Sequence, residues 1–273
     1  FALDLDANCV AQINCDSPGC RWADVYEDIA WMSEAEGFCK DVIRDVTGQQ
    51  STGERPLRAG DYSFNNIGLT SFFMLSSTMT EEKRKEMGYY TVGGCGGNIA
   101  WHTENDTLEI ADREILVRDI KVYLAAVMGV ANARVLPFDW RATVGEFEAT
   151  LAKLVTAAGP EAALLTPVSG MLETLKSALD GFYAALASGA VPEDRANEVI
   201  QGLARILVPL NYTRGPRFSH DPALPVPALP LLSAVQDLAL LPADQNGFAR
   251  TQLVRGVNRT CAALRSAAQL ATV

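Results

Sequence analysis

The chain has 273 residues, with 23 Lys+Arg against 33 Asp+Glu, a formal charge of −10 and 48% hydrophobic residues. That composition excludes a disordered tail, a collagen-like repeat and a disulfide-stapled mini-protein, and the acidic balance argues against a nucleic-acid surface, which needs a basic face. The charge is uneven: residues 1–130 hold 11 basic and 21 acidic side chains, and residues 131–273 hold 12 of each. The two halves are therefore expected to be different objects.

In chain order, the sequence opens at Phe1 into a strand-like run. Cys9 to Asn14 reads as a short buried strand ending at the turn Cys15-Asp16-Ser17-Pro18-Gly19. Tyr26 to Val46 is predicted helical, because Ile29, Met32, Phe38, Val42, Ile43 and Val46 roughly follow a helical period, with Gly48 as the stop. Residues 49–60 read as a loop with at most a short strand. Ile67 to Leu75 is a second apolar strand. Residues 80–100 form a long connection, a charged run Glu81–Glu86 followed by the glycine-rich Gly93–Gly97, and loops of that length are usually functional. A helix follows from about Ala111 to about Ala131. Strand and helix in alternation indicate an α/β sheet layer.

After Pro137 the segments Thr143–Ala158, Glu161–Ser188, Glu193–Leu207, Leu231–Leu241 and Gly247–Leu270 are Ala- and Leu-rich with helical periodicity. Pro192 is placed at a helix start, Pro167 at a helix start or kink, and the five prolines between Arg214 and Pro230 mark an extended connector. The expected organisation is an α/β domain over residues 1–135 and an all-α, bundle-like domain over residues 136–273. No apolar run reaches the roughly 18 residues a membrane span needs, so no membrane segment is expected.

Six cysteines (Cys9, Cys15, Cys20, Cys39, Cys95, Cys261) show no Cys-x-x-Cys pair and no zinc-finger spacing. Reduced, buried thiols are the simplest reading and fit a cytoplasmic setting. Asn-x-Thr triplets at Asn105, Asn211 and Asn258 would matter in a secreted one.

The residues with chemical potential are few. The two histidines are His102 and His220. His102 lies in Trp101-His102-Thr103-Glu104-Asn105-Asp106-Thr107, after a glycine-rich loop, before a helix and among carboxylates, a setting suited to a metal-ligating imidazole. Asp16, in Asn14-Cys15-Asp16, stands at the C-terminal end of a strand, where α/β sheets bind ligands. Carboxylate plus imidazole suits zinc. Gly93–Gly97 matches neither phosphate-loop spacing and reads instead as a pocket wall that allows close backbone approach. Ser219-His220-Asp221 cannot converge as a triad, because adjacent side chains point apart, and His220 reads as a structural loop residue. Cys95 as a nucleophile has no histidine near it in sequence.

Asn14-x-Asp16 on a strand, followed about 85 residues later by His102-Thr103-x-x-Asp106-Thr107 leading into a helix, resembles metallopeptidase family 28, the co-catalytic zinc exopeptidases. The likeness covers roughly residues 5–130. The family's middle segment is matched by Gly60-Asp61-Tyr62-Ser63-Phe64-Asn65-Asn66-Ile67-Gly68-Leu69-Thr70, which keeps the Asp, Phe and Gly but has Tyr62 for a His and Thr70 for a Pro. The resemblance implies the C-terminal part of an α/β/α zinc-exopeptidase domain acting on peptide substrate. It makes Asp16 a terminal ligand of one zinc and His102 of the other, with Asn14, Asp61, Gly96, Gly97, Trp101 and Asp106 around them. In such sites two ions about 3.5–4 Å apart activate a shared water. The family often has Tyr where Trp101 stands, and an indole N–H reaches differently from a phenol. The family's remaining His, Asp and Glu ligands and its general-base Glu lie upstream of the Asn-x-Asp strand. The resemblance therefore implies a piece of a longer peptidase, with half of each zinc's ligands, no catalytic base and no activity by itself. The neutral helical region would suit homodimerisation, and a non-catalytic binding or structural member of the same fold is the alternative.

Overall fold

The structure is a computed structural model that describes residues 1–57, 64–73, 77–222, 226–242 and 244–272. It is mainly helical, 60% helix against 8% strand, so the sheet layer expected of the first half is present but small. The chain divides into two compact units, one of Ala11–Leu57 and Ser71–Phe138, the other of Phe1–Val10, Arg58–Thr70 and Asp139–Val273.

In the first of these units, β1 (Ala11–Ile13) pairs with β4 (Thr70–Phe72), and β2 (Tyr26–Ala30) pairs in parallel with β3 (Ser51–Glu54). The two pairs are joined where Phe73 N–H donates to Ala30 O (2.8 Å) and Met32 N–H to Ser71 O (3.1 Å). Between β2 and β3 runs α2 (Glu36–Thr47), giving a β-α-β unit. Tyr26–Ala30 is thus a strand and not the start of the expected helix. The register slips between Tyr26 and Ile29, which spaces two buried side chains three residues apart and so imitates a helical repeat inside a strand. The rest of that expectation holds from Glu36, and Gly48 ends α2 in a left-handed conformation (φ 73°), its N–H bonded to Arg44 O.

The expected strand at Ile67 begins at Thr70, because residues 65–68 turn, with Gly68 at φ 99° against the backbone of Arg205. Leu75 lies outside the described residues. Phe72 is fully buried, with Phe38 and Phe73 packed edge-on at 5.8 and 5.1 Å between ring centres. The charged run forms a short helix, α3 (Glu81–Glu86), because Thr80 Oγ1 caps the Lys83 N–H (3.1 Å) and Glu81 and Glu82 stand in its first turn, ahead of Lys83, Arg84 and Lys85, where the helix dipole favours acids. Asp112 likewise caps α4 (Arg113–Ala131). One face of α4 buries Ile115, Asp119, Val122, Ala126 and Val130. Another face leaves Ile120, Leu124 and Met128 about half exposed.

Apart from Thr70 of β4, the regular secondary structure of the second unit is helical among its described residues. It comprises α5 (Trp140–Ala158), a 3-10 segment (Gly159–Leu165), α6 (Thr166–Ala187), α7 (Glu193–Tyr212), α8 (Ala234–Leu240) and α9 (Gly247–Ala271). Its core includes Trp140, Phe147, Phe182, Leu203 and Leu253, all fully buried. The Trp140 indole N–H is satisfied by Ile200 O at 3.2 Å. Pro167 sits in the first turn of α6 and Pro192 caps α7, where neither loses a helical hydrogen bond.

This unit also holds α1 (Ala2–Asn8), a helix where a strand-like run was expected. Its exposed carbonyl end explains the difference: Arg205 of α7 donates to Asp6 O (2.7 Å) and Cys9 O (2.6 Å), pairs with the Asp6 carboxylate (3.0 Å) and reaches Gly68 O (2.7 Å). A cation at a helix C-terminus offsets the unpaired carbonyls and the dipole. No helix among the described residues is long and apolar enough to cross a membrane.

Candidate functional site

The candidate residues that can be located all belong to the unit of Ala11–Leu57 and Ser71–Phe138. β1 ends at Ile13, Asn14 N–H still bonds Phe72 O (3.1 Å), and the chain then leaves the sheet, which places Asp16 just beyond the strand end. Asp16 Oδ1 accepts from Ser17 Oγ (2.8 Å). A cavity of about 10 Å³ is lined by Asp16, Ser17, Asp28, Ser77, Thr78, Gly94, Gly96 and Gly97, room for about one water-sized group. Asp16, Gly96 and Gly97 therefore lie around one cavity, with Asp28 as a carboxylate that sequence reading missed. Asn14 lies beside this loop. Its Nδ2 is buried and has no acceptor among the described residues, and a buried amide left unpaired is costly.

The glycine wall is built by conformation. Cys95, Gly96 and Gly97 have φ of 50°, 61° and 83°, three left-handed residues in succession. At Gly96 a Cβ would stand 2.7 Å from Ala23 Cβ and 3.1 Å from Cys20 Cβ, so no larger residue fits. Met79 N–H holds the wall through Gly96 O (2.8 Å).

His102 is placed differently. It is exposed, at φ 62°, with its ring stacked on Trp101 at 3.8 Å and 23°, and it does not line the cavity. Trp101 connects the two regions, since its indole lies against Gly94, where a Cβ would come within 2.5 Å of Nε1. The loop after His102 is pinned by Thr103, whose Oγ1 donates to Ala100 O (2.7 Å) and accepts from Asn105 N–H (3.2 Å). Asp106 is exposed and makes no hydrogen bond to His102 among the described residues. Asp61 lies outside the described residues. Among the described residues no three His, Cys, Asp or Glu side chains converge as a metal-binding group.

What holds the site's walls is Asp119, on the buried face of α4 and 0% exposed. Its carboxylate accepts from Gly19 N–H (2.9 Å), at the end of the Asp16 turn, from Ser77 Oγ–H (2.9 Å), which lines the cavity, and from Tyr26 O–H (2.8 Å) of β2. Burial, and then the neighbouring Asp119 charge, push the Tyr26 phenol well above its ordinary range. A carboxylate inside an apolar helical stripe (Ile115, Asp119, Val122, Ala126) was the available sequence signal.

In the other unit, Asp221 is occupied by loop backbone, accepting from Arg214 N–H (2.7 Å), Gly215 N–H (3.0 Å) and Asn66 Nδ2 (3.0 Å). Ser219 Oγ donates to Pro216 O and His220 is exposed. Asp221 thus serves as the clasp of a loop, in keeping with the structural reading of His220.

Compared with known protein families and with curated proteins, the chain matches none.

Proposed function

We propose that this chain carries part of the metal-binding chemistry of a zinc-dependent, aminopeptidase-like exopeptidase, with Asp16 a terminal ligand of one zinc and His102 of a second. The observation that carries the reading is the position of Asp16: a carboxylate just beyond a strand end, in a glycine-walled cavity, two residues after Asn14, whose Nδ2 is buried with no acceptor among the described residues.

Zinc, when bound, would supply a polarised carbonyl and an acidified water. The chain's own residues would do the positioning. Ser17 takes Asp16 Oδ1, which leaves Oδ2 as the ligating oxygen. Gly96 and Gly97 admit a peptide backbone close to that carboxylate. Trp101 stacks on His102 and holds the imidazole in one plane while leaving its edge open to solvent. By the family likeness, the remaining ligands and the general base would lie upstream of the Asn14-x-Asp16 strand.

Elemental analysis after dialysis against zinc tests the assignment. The expected result is weak, substoichiometric zinc that is lost in Asp16→Ala and reduced in His102→Ala. Two tightly held zincs that survive both substitutions would show that the ligands are misplaced. In the parent gene, a His-x-Asp and a Glu-Glu pair before Phe1 are required, and their absence would sink the enzyme reading. The exposure of His102 outside the cavity favours the second reading, a non-catalytic binding or structural protein on the same fold. That reading expects no zinc dependence on Asp16 or His102.

A further inference from the structure

None of the six cysteines is in a disulfide, and two of them are paired in space. Cys20 Sγ and Cys95 Sγ lie 2.7 Å apart. Both are 5% exposed and share a small apolar cluster with Ala23 and Ile115, covered by Trp101 and Ile110. The separation is shorter than two sulfur atoms in ordinary contact, and thiols this close need only a small shift to bond. The remaining cysteines differ in kind: Cys39 is fully buried and burial pushes its thiol well up, while Cys15 is exposed.

The two partners are anchored unequally. The Cys20 segment is held on both sides, by Arg21 N–H to Ile110 O (2.7 Å) and Asp112 N–H to Gly19 O (2.8 Å). Cys95 sits in the left-handed turn at φ 50°, a conformation costly for a residue with a Cβ, between Gly94 and Gly96, both of which line the Asp16 cavity. A tether from a fixed residue to a strained one would act on the strained one.

We propose that Cys20 and Cys95 are a redox-active dithiol that closes to an intramolecular disulfide with a small peroxide as oxidant, and that the closed form fixes the Gly94–Gly97 wall of the Asp16 cavity. The Cys20 thiol hydrogen-bonds Cys95, which holds the Cys95 thiol below its usual range and leaves Cys20 protonated well above its own. The Cys95 thiolate attacks one peroxide oxygen. The O–O bond breaks, hydroxide leaves and is protonated to water, and Cys95 becomes a sulfenic acid. Cys20 sulfur then attacks Cys95 sulfur, the S–O bond breaks, and the departing hydroxide takes the Cys20 proton as a second water. Two thiols and one peroxide thus give one disulfide and two waters. This does not depend on the zinc assignment.

The test uses the full, reduced chain treated with stoichiometric hydrogen peroxide, then denatured in an alkylating reagent and mapped without reductant. Expected are an intact mass lower by two hydrogen atoms, two fewer alkylatable thiols, and a peptide pair joined through Cys20 and Cys95 that dithiothreitol separates and Cys95→Ser lacks. Recovery of both thiols free while Cys15 is oxidised, or the same mass loss in a folded Cys95→Ser chain, overturns the dithiol. Hydrogen exchange reads the second part: amides of residues 94–98 should exchange several-fold more slowly in the oxidised chain, and unchanged exchange there overturns the coupling to the wall.

Discussion

Replacing Asp119 by Asn tests how the walls of the Asp16 cavity are held. The carboxylate is fully buried and accepts from Tyr26 on one oxygen and from Gly19 and Ser77 on the other. An amide of the same shape keeps one acceptor oxygen. Its least costly setting points that oxygen at Gly19 and Ser77 and turns NH₂ toward Tyr26, whose oxygen already accepts from Arg118 Nε (3.2 Å) and must take a second donor while its own O–H loses the carboxylate. All three bonds then lose their charged acceptor, a difference of about 1 kcal/mol each, since bonds to charged groups contribute about 1.5–3 kcal/mol against about 1 for neutral ones. Arg118, 4.0 Å away, loses its counter-charge, and relief of a buried charge offsets part of the sum. The expected cost is about 2 kcal/mol for Asp119→Asn, and about 4 kcal/mol for Asp119→Ala, which orphans three donors and leaves a hole. Exchange of the Gly19 amide reads the effect locally. A loss of about 2 kcal/mol is roughly a 30-fold fall in protection. If Asp119→Asn stays within about 0.5 kcal/mol of the parent, the range of ordinary surface changes, the charge of Asp119 does not hold the walls.

Three further outcomes are expected. Because the folded Tyr26 phenol is raised above its ordinary value, its contribution is fully present below about pH 10 and is lost as pH rises through that value toward the folded one, since the unfolded chain ionises first. Urea midpoints between about pH 9 and 11 should therefore fall less steeply in Tyr26→Phe, and an unchanged slope would refute the shift. Gly96→Ala should cost about 2–4 kcal/mol, the left-handed penalty of about 1–2 plus the Ala23 clash. Gly97→Ala, whose nearest neighbour is Arg84 Cδ at 3.4 Å, should cost only about 1–2 kcal/mol. Equal thermal shifts would mean that the clash is relieved elsewhere. Arg205→Lys cannot span Asp6 O, Cys9 O and Gly68 O at once. It should cost about 2–3 kcal/mol and raise exchange throughout α1, and an α1 that stays protected would show that its packing suffices.

The helices beyond Asp139 were legible because each buries one long face, and a stripe such as Val168, Leu172, Leu175, Leu179 and Phe182 states its period without help from other segments. Short strands lack that redundancy. β2 has five residues and a slipped register, so its pattern belongs to the pairing with β3 and cannot be read in Tyr26–Ala30 alone. The helix at Ala2–Asn8 depends on Arg205, some two hundred positions away in sequence.

The same distinction separates the parts of the site. Asp16, Gly96, Gly97 and His102 announce themselves through local composition, a turn after a strand or a glycine run before a loop. The groups that position them do so across the chain. Asp119 reaches Gly19 and Ser77, and Cys20 meets Cys95, and none of these pairs shares a motif. Asp119 still left a trace, because a carboxylate in an apolar stripe must have partners to be buried at all. Cys20 and Cys95 left none, since a buried thiol is at home in a core without any partner. A buried charge in sequence therefore predicts a network, whereas a cysteine pair becomes visible only once the fold has brought the sulfurs together. In this chain both kinds of contact converge on one cavity wall: Asp119 fixes it through Ser77, and the thiol pair meets it at Cys95. That wall is where substitutions remote from Asp16 in sequence should alter what the cavity holds.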